Sequence, residues 1–255
     1  MPDATPSRKT ILITGASSGL GEEMARQFAA RGHDLALCAR RTDRLDALRA
    51  ELEGRHPGQR VEVRALDVTD DDAVFEVFRA FRADFGTLDR VVVNAGLGKG
   101  APLGTGRHDA NRQTAMTNFV AALAQAEAAM EIFREQRAGH LVMISSMSAM
   151  RGMPKTATTY AATKAGVAHL AEGLRAELMG SPIKISVIYP GYIRSEMNEN
   201  VKNAPFMVST SKGVAAIVDA VEKEKGSAHV PAWPWVPIGL AMKHLPLPVV
   251  RRLLG

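Results

Sequence analysis

Seven short apolar runs recur along this chain of 255 residues, with helix-like segments between them. Several runs are continuous rather than alternating in polarity, which is typical of strands buried on both faces of a sheet. Regular alternation of strand and helix indicates a parallel sheet with right-handed crossovers. The sequence therefore predicts an α/β fold with a doubly wound, mainly parallel sheet and helices on both faces. The runs span 10–16, 34–40, 61–68, 89–96, 140–146, 184–191 and, more weakly, 227–233.

The sequence shows no sign of a boundary between domains. The chain has no repeat, low-complexity segment or linker, so one domain over 1–255 is predicted, with a flexible start at 1–7. Among the predicted helices, one ends in Gly54 and the next opens after Thr69, which suits an N-cap.

The last segment, 231–255, differs in composition because it is rich in proline and bulky apolar residues. Lys243, His244 and the prolines interrupt it, so it cannot provide the ~20 uninterrupted apolar residues of a membrane span. Three interpretations stay open: contact with a membrane surface, a cover over a substrate pocket, or packing at a subunit interface. The two protein-packing interpretations are favoured.

Composition and charge argue against several classes of function. The net charge is +5, from 32 basic and 27 acidic residues, and the excess is spread along the chain. With only 5% aromatic residues, this does not indicate nucleic-acid binding, although a mild positive field suits an anionic cofactor. Cys38 is the only cysteine, so no intrachain disulfide can form and a reducing compartment is expected. No signal-peptide core precedes the first run, so a cytoplasmic location is expected, and no metal site is predicted.

The first apolar run leads into a glycine-rich turn, TGASSGLG at 14–21, followed by a helix-like segment. Gly15, Gly19 and Gly21 give G-x-x-x-G-x-G, which differs from the G-x-G-x-x-G usual in Rossmann-type folds. The physical effect is shared, because glycines let the backbone turn sharply and approach a pyrophosphate at a helix N-terminus. Ser17 and Ser18 add hydroxyl donors. The turn predicts a dinucleotide site in a Rossmann-type fold.

The second run ends in Arg40 and Arg41, about 20 residues beyond the glycines, where a contact to the adenosine ribose is expected. An acidic residue there would favour NAD, whereas guanidinium groups pair well with a 2′-phosphate. NADP(H) is therefore the predicted cofactor. The alternative is that both arginines only solvate the start of the next helix.

Tyr160 and Lys164 lie four residues apart in a helix-like stretch, so both side chains project from one face. A phenol beside an ammonium forms an acid–base pair, since a nearby positive charge lowers the pKa of tyrosine from ~10 toward neutrality. The pair alone is weak evidence, because an exposed helical Tyr–Lys pair arises often by chance.

Taken together and in this order, the motifs resemble those of the short-chain dehydrogenase/reductase family. The resemblance covers roughly 8–230 and leaves the apolar tail outside. It is carried by TGASSGLG at 14–21, LDV at 66–68, NAG at 94–96, Asn118, ISS at 144–146, YAATK at 160–164 and YPGYIRSEM at 189–197.

The resemblance implies hydride transfer between NADP(H) and a carbonyl or alcohol carbon. Tyr160 is then the general acid/base, Lys164 lowers its pKa and holds the nicotinamide ribose, and Asn118 keeps a water in the proton relay. The residues expected to contact the cofactor are Gly15, Ser17, Ser18, Gly19, Leu20, Gly21, Arg40, Arg41, Asp67, Val68, Asn94, Ala95, Gly96, Tyr160, Lys164, Pro190, Gly191, Ile193 and Ser195.

Several of these contacts have a specific place in the family. Asp67 and Val68 are expected at the adenine, and Asn94 is expected to brace the fourth strand against the cofactor turn. Ile193 and Ser195 are expected at the nicotinamide amide and the phosphates, and Ser195 stands where the family more often has threonine.

The catalytic serine is out of register with the family pattern. It usually lies thirteen residues before the tyrosine, where this chain has Met147. Ser146 and Ser148 flank that position, and the ISS context at the end of the fifth run favours Ser146. Its expected task is to donate a hydrogen bond to the reacting oxygen.

The resemblance favours an NADP(H)-dependent oxidoreductase acting on CH–OH groups, working mainly toward carbonyl reduction. The alternative is a non-catalytic NADP(H)-binding regulatory module, although such a descendant would typically lose Tyr160 or Lys164. A sugar-nucleotide epimerase is disfavoured, because those chains carry T-G-x-x-G-x-x-G and a larger C-terminal substrate region.

Segment 192–212 matches the family's mobile substrate loop. The bulky apolar residues here are Met197, Phe206 and Met207 in the loop and Trp233 and Trp235 in the tail. They suggest a bulky hydrophobic substrate, while packing on the core or a partner subunit is equally open.

The family commonly forms homodimers or homotetramers through two crossover helices, here roughly 108–137 and 157–180. Both segments carry alanine-rich faces that allow close helix packing. A homodimer or homotetramer is therefore expected.

Overall fold

Each of the seven apolar runs forms a strand in the computed structural model, which describes residues 8–199 and 204–254. The predicted flexible start at 1–7 and residues 200–203 of the predicted substrate loop lie outside the described residues. The strands are β1 (Thr10–Thr14), β2 (Asp34–Ala39), β3 (Val61–Ala65), β4 (Arg90–Val93), β5 (Gly139–Ile144), β6 (Ile183–Pro190) and β7 (Ser227–Val230).

The strands form one sheet in the order β3-β2-β1-β4-β5-β6-β7, and every neighbouring pair is parallel. The predicted doubly wound α/β fold is confirmed. The helices are α1 (Gly19–Ala30), α2 (Thr42–Arg55), α3 (Asp71–Phe85), α4 (His108–Ala115), α5 (Ala121–Gln136), α6 (Thr158–Glu177), α7 (Thr210–Glu222), α8 (Ala232–His244) and α9 (Leu247–Leu254).

Two apolar cores lie on opposite faces of the sheet and explain why the strand sequences are continuously apolar. Side chains alternate along β1, so Ile11 and Ile13 pack with Phe28 of α1, whereas Leu12 belongs to the core that contains Phe78 of α3 and Phe133 of α5. All five β1 residues are therefore buried.

Two predicted helix ends are shifted by one residue. Asp70, not Thr69, caps α3: its carboxylate accepts a 3.1 Å hydrogen bond from the backbone N–H of Ala73. The Thr69 hydroxyl instead donates to Asp67 at 2.8 Å, so it is not available as a cap. The preceding helix, α2, continues through Gly54 and ends at Arg55.

The apolar tail folds into α8 and α9. Trp235 on the inner side of α8 is buried, while Trp233 and Leu240 on its outer side are exposed. α8 packs against β7 and against the 3-10 turn Met147–Met150 that follows β5. Within residues 8–199 and 204–254, no helix is long and apolar enough to cross a membrane.

Candidate active site

The site lies at the carboxyl ends of the strands, where the order of the sheet reverses between β1 and β4. The chain leaves these neighbouring strands toward opposite faces, which opens a crevice. A cleft of about 760 Å³ occupies this place. The sequence-predicted residues that line it are Gly15, Ser17, Ser18, Gly19, Leu20, Arg40, Arg41, Asp67, Val68, Asn94, Ala95, Gly96, Ser146, Tyr160, Lys164, Pro190, Gly191, Ile193 and Ser195. Gly21 and Asn118 lie directly behind this lining.

The glycine turn is as tight as the pattern predicts. Gly15 and Gly19 have φ angles of +65° and +58°, in the left-handed region that favours glycine. A Cβ on Gly21 would overlap the carbonyl of Gly15 and lie 2.7 Å from the Asn94 side chain. Gly21 thus lets the first turn of α1 pack against Gly15 and Asn94, while Gly15 and Gly19 line the cleft at the start of α1, where a pyrophosphate would bind.

Asn94 fastens the end of β4 to this turn. Its Nδ2 donates to the backbone oxygen of Thr14 at 2.9 Å, and its backbone N–H donates to the Thr14 hydroxyl at 3.0 Å. Thr14 is fully buried and also receives the N–H of Ala95 at 3.1 Å. The two strands that flank the crevice are therefore tied by side chains as well as by the sheet.

Arg41 joins the end of β2 to the same turn. Its Nε lies 3.2 Å from the Ser17 hydroxyl and its Nη2 lies 2.6 Å from the Ser18 hydroxyl. Arg40 is more exposed and lies 3.9 Å from the carboxylate of Asp67. Burial raises the pKa of Asp67, but two hydrogen bonds from Thr69 and the charge of Arg40 outweigh it and leave the pKa below its usual range. Hydroxyls and guanidinium groups thus converge on one corner of the cleft.

Ser146 and Tyr160 meet across the other end of the cleft. The Ser146 side chain is close enough to the Tyr160 phenol to act on its pKa, which it lowers. The Ser146 oxygen also accepts the backbone N–H of Ser148 at 3.1 Å, which starts the short turn Met147–Met150. That turn accommodates the one-residue shift in register, and the methyl group of Met147 lies beside Gly239 of α8.

Lys164 lies one helical turn after Tyr160 on α6 and is 6% exposed. Its Nζ donates to the backbone oxygen of Ile144 at 2.9 Å. Because the ammonium is desolvated, its pKa is lowered to about 8. The Ser145 hydroxyl donates to the backbone oxygen of Lys164 at 2.7 Å, which fixes α6 against the end of β5.

The pKa of Tyr160 is raised in this structure, whereas the sequence-based expectation is a lowered pKa. Burial raises the pKa of Tyr160, and the Ser146 side chain offsets only part of that rise. The phenol is therefore protonated at neutral pH.

Asn118 lies in a π-helical turn, Met116–Val120, that separates α4 from α5. The segment 108–137 is thus not one regular helix. The Asn118 side chain accepts the N–H of Leu97 at 2.7 Å and donates to its carbonyl at 2.8 Å. A Cβ on Gly96 would lie 3.3 Å from the Asn118 oxygen and 3.5 Å from the Lys164 nitrogen, so Asn118 and Lys164 border the same glycine. π-helical turns occur frequently at functional sites.

The part of the cleft beyond Ser146 and Tyr160 is largely apolar. Tyr192 and Trp235 form an edge-to-face pair with ring centroids 5.7 Å apart, and Phe206 packs against Trp235 at 6.4 Å. Besides Tyr192 and Trp235, the apolar side chains that line the cleft include Met147, Met153, Met197, Ile238 and Met242. The inner side of α8 covers this pocket, which agrees with one of the three interpretations of the tail.

Sequence reasoning missed several residues of the site. Thr14 and Ser145 are polar residues at the ends of apolar strands, a signal that was available in TILITG and MISS. Glu196, which also lines the cleft, gave no signal because its contacts lie more than 150 residues away in the chain.

Residues 9–205 match the family model described as short chain dehydrogenase. The chain belongs to the short-chain dehydrogenase/reductase family. This short-chain oxidoreductase is 52% identical over 246 residues to an uncharacterized oxidoreductase of Mycobacterium tuberculosis, covering 96% of this chain and 97% of the relative. It is 32% identical over 245 residues to 11-beta-hydroxysteroid dehydrogenase 1A of Arabidopsis thaliana, covering 88% of this chain and 69% of the relative.

Solved structures of the family superpose closely on this short-chain oxidoreductase. A short-chain dehydrogenase from Sphingobium yanoikuyae in complex with NADPH gives a TM-score of 0.80 at 28% identity, covering 94% of this chain and 97% of that one. A family member from Burkholderia phymatum in complex with NAD gives 0.81 at 20% identity, covering 97% and 95%. The second likeness concerns the fold alone, and the two complexes hold different cofactors.

Proposed function

We propose that this protein is an NADP(H)-dependent carbonyl reductase that acts through Ser146, Tyr160, Lys164 and Asn118 and that also runs in reverse as a secondary-alcohol dehydrogenase. The observation that carries the proposal is that Ser146 and Tyr160 line the same cleft as Lys164 and the glycine turn. Both side chains line the cleft beside its apolar part, where a carbonyl oxygen would contact a donor from each of them.

The cleft fits a nicotinamide dinucleotide phosphate. Gly15 and Gly19 line the cleft with positive φ angles at the start of α1, so no side chain would stand between this backbone and a pyrophosphate. Arg41, Ser17 and Ser18 would bind the 2′-phosphate, while Ile193 and Lys164 would hold the nicotinamide end. The NADPH complex of the Sphingobium relative supports this choice of cofactor. Bound there, the nicotinamide would supply the hydride for reduction or accept it for oxidation.

The protein's own residues would handle the proton and the developing charge. Because burial keeps Tyr160 protonated, its phenol suits the role of general acid to a carbonyl oxygen. Ser146 would donate a second hydrogen bond to that oxygen. The Lys164 ammonium would stabilise the phenolate that forms, and Asn118 holds the backbone of Leu97 beside it.

The substrate we propose is a bulky apolar ketone or secondary alcohol. The apolar part of the cleft, with the aromatic pair Tyr192 and Trp235, supports this choice because apolar walls bind apolar ligands by excluding water. The similarity to a plant protein named 11-beta-hydroxysteroid dehydrogenase is a second support, because steroids are bulky, apolar, polycyclic compounds.

A panel of ketones and alcohols, assayed with NADPH and with NADH, tests the reaction, cofactor and substrate class together. We expect turnover with NADPH and a preference for apolar ketones. Tyr160→Phe should abolish turnover and leave NADPH binding nearly unchanged. Tight NADPH binding without turnover across the panel would instead support a regulatory NADP(H)-binding module.

We further propose that the protein acts as a homo-oligomer in a reducing compartment. Phe119, Val120 and Leu123 near the start of α5 are each more than a third exposed, which suits a subunit contact on this helix. Cys38 is a buried free thiol, as suits a reducing compartment. Light scattering coupled to size-exclusion chromatography measures the mass of the particle in solution. The mass of a monomer at micromolar concentration would contradict the proposed homo-oligomer.

A further inference from the structure

Glu196 lines the cleft and contacts Arg41 of the proposed cofactor site and Arg44 of α2. Its Oε2 lies 3.3 Å from Nη1 of Arg41, and its Oε1 lies 2.6 Å from Nη1 of Arg44. Arg41 directly precedes α2, Arg44 lies in its first turn, and Glu196 begins a 3-10 turn after β6. One carboxylate therefore connects the loop after β6 to the beginning of α2.

The Arg41 guanidinium is shared between the cofactor turn and Glu196. Nε and Nη2 face the hydroxyls of Ser17 and Ser18, while Nη1 faces the Glu196 carboxylate. A carboxylate and a phosphate bind a guanidinium through the same planar arrangement of N–H donors. A phosphate placed at Ser17 and Arg41 would therefore meet a second anion on the same guanidinium.

Partly exposed ion pairs contribute little to holding a side chain in place. The position of Glu196 is instead fixed by the backbone of its turn. Ser195 and Asn198 form a capping box around the turn, with the Ser195 N–H donating to the Asn198 side chain at 2.9 Å. Asn198 in turn donates to the carbonyl of Ile193 at 2.7 Å, and Ile193 is buried. The carboxylate is held near Arg41 by a turn that is anchored in the core.

We propose that Glu196 is a specificity-determining residue that lowers the preference for NADP(H) over NAD(H), because its carboxylate competes with the 2′-phosphate for Arg41. This inference rests on the proposed NADP(H) site. A 2′-phosphate carries a charge of about −1.5 to −2 at pH 7, so one nearby negative charge opposes it directly. The ribose hydroxyl of NAD(H) carries no charge and does not compete. Arg44 neutralises part of the carboxylate charge, so the effect is a moderate one.

Glu196→Gln in the full-length protein tests this proposal, with Glu199→Gln as the matched control. Both variants remove one negative charge from the same loop, and Glu199 is exposed like Glu196. Dissociation constants for NADPH and NADH are measured by nicotinamide fluorescence. Adenosine 2′,5′-bisphosphate and 5′-AMP, measured by displacement, isolate the 2′-phosphate from the rest of the cofactor.

Glu196→Gln should tighten NADPH and the bisphosphate roughly three- to tenfold, as expected for removing one partly screened charge, and change NADH and 5′-AMP less than about twofold. Glu199→Gln should leave the NADPH to NADH ratio unchanged. The proposal is overturned if Glu196→Gln leaves that ratio unchanged, if it weakens NADPH binding, or if Glu199→Gln shifts the ratio equally. A wild-type protein that prefers NADH would refute the proposed cofactor choice, while the shift in ratio between wild type and Glu196→Gln would still decide the role of Glu196.

Discussion

The indole of Trp235 occupies the space that a side chain on Gly191 would fill. A Cβ on Gly191 would overlap the Cε2 and Nε1 atoms of Trp235. Gly191 follows β6 in the cleft, and Trp235 comes from α8 in the tail. Glycine at this position thus lets the apolar tail reach the strand end that is expected to contact the nicotinamide. The tail is a part of the pocket wall although it lies outside the region that matches the family model.

Trp235→Ala should damage both stability and substrate binding. Loss of this buried ring is expected to lower the free energy of unfolding by about 3 kcal/mol, because a cavity replaces close packing. The Michaelis constant for an apolar ketone should rise about tenfold, as expected for ~1.4 kcal/mol of lost contact. Urea denaturation and steady-state kinetics measure the two effects.

The control for this change is Trp233→Ala. Trp233 lies two residues away on the outer side of α8 and is 79% exposed, so its removal should change stability by less than about 0.5 kcal/mol. Equal losses in the two variants would show that the pocket contact is not the cause.

Ser146 and Ser148 should differ sharply in their effect on turnover. Ser146→Ala removes the hydroxyl that contacts Tyr160 and should lower kcat about 100- to 1000-fold, as does loss of a donor to a reacting oxygen. Ser148→Ala should have little effect, because Ser148 contributes its backbone N–H, not its hydroxyl, to Ser146. Single-turnover rates with NADPH and a ketone measure both, and a larger loss in Ser148→Ala would transfer the role to Ser148.

Carbonyl reduction should decline as the pH rises above about 8. The pKa of Lys164 is lowered to about 8 by burial, so its positive charge is present below that pH and lost above it. Burial raises the pKa of Tyr160, so the phenol keeps its proton over the same range and does not set this limit. We expect kcat/KM for reduction to be level from about pH 6 to 7.5 and then to fall up to tenfold per pH unit.

The measurement is a pH profile of kcat/KM with circular dichroism recorded at each pH. A folded protein with a level profile up to pH 10 would contradict the role given to Lys164. For alcohol oxidation, kcat/KM should first rise with pH, since this direction requires Tyr160 to lose its proton.

The strand pattern was sufficient to predict the sheet, because strands buried on both faces consist of consecutive apolar residues. Ile11, Leu12 and Ile13 alternate between two cores, so no polar residue interrupts β1. Helix ends were harder to predict, because Thr69 and Asp70 are both good caps and the choice between them depends on which local hydrogen bonds form in the folded turn.

Within the site, residue positions were more predictable than their electrostatics. The motifs brought Tyr160, Lys164 and Ser146 to one cleft, but the pKa of Tyr160 depends on burial. Burial is not visible in a four-residue spacing. The contact between Glu196 and Arg41 joins residues 155 positions apart and required the fold itself.

Glu222→Gln should destabilise the protein in a pH-dependent way, through a buried network at the opposite end of the sheet from the cleft. Arg90 is 1% exposed and donates to Glu222 at 2.6 Å, and its Nε donates to His140 at 2.9 Å. Burial raises the pKa of Glu222, but His33 and Arg90 outweigh this and lower it to about 2. Removing the charge leaves Arg90 without its hydrogen-bonded carboxylate and should cost about 2 kcal/mol at pH 7.

The sign of the pH effect follows from the lowered pKa. An ordinary glutamate has a pKa of about 4.5, so the stabilisation by Glu222 is complete above that pH and is lost as the pH falls toward 2. The difference in unfolding free energy between wild type and Glu222→Gln should therefore be constant above about pH 5 and shrink below pH 4. Urea denaturation from pH 3 to 8 measures it. Asp219→Asn, which removes an exposed ion pair with Arg31, should cost less than about 1 kcal/mol at every pH, and an equal cost in both variants would contradict a special role for the buried network.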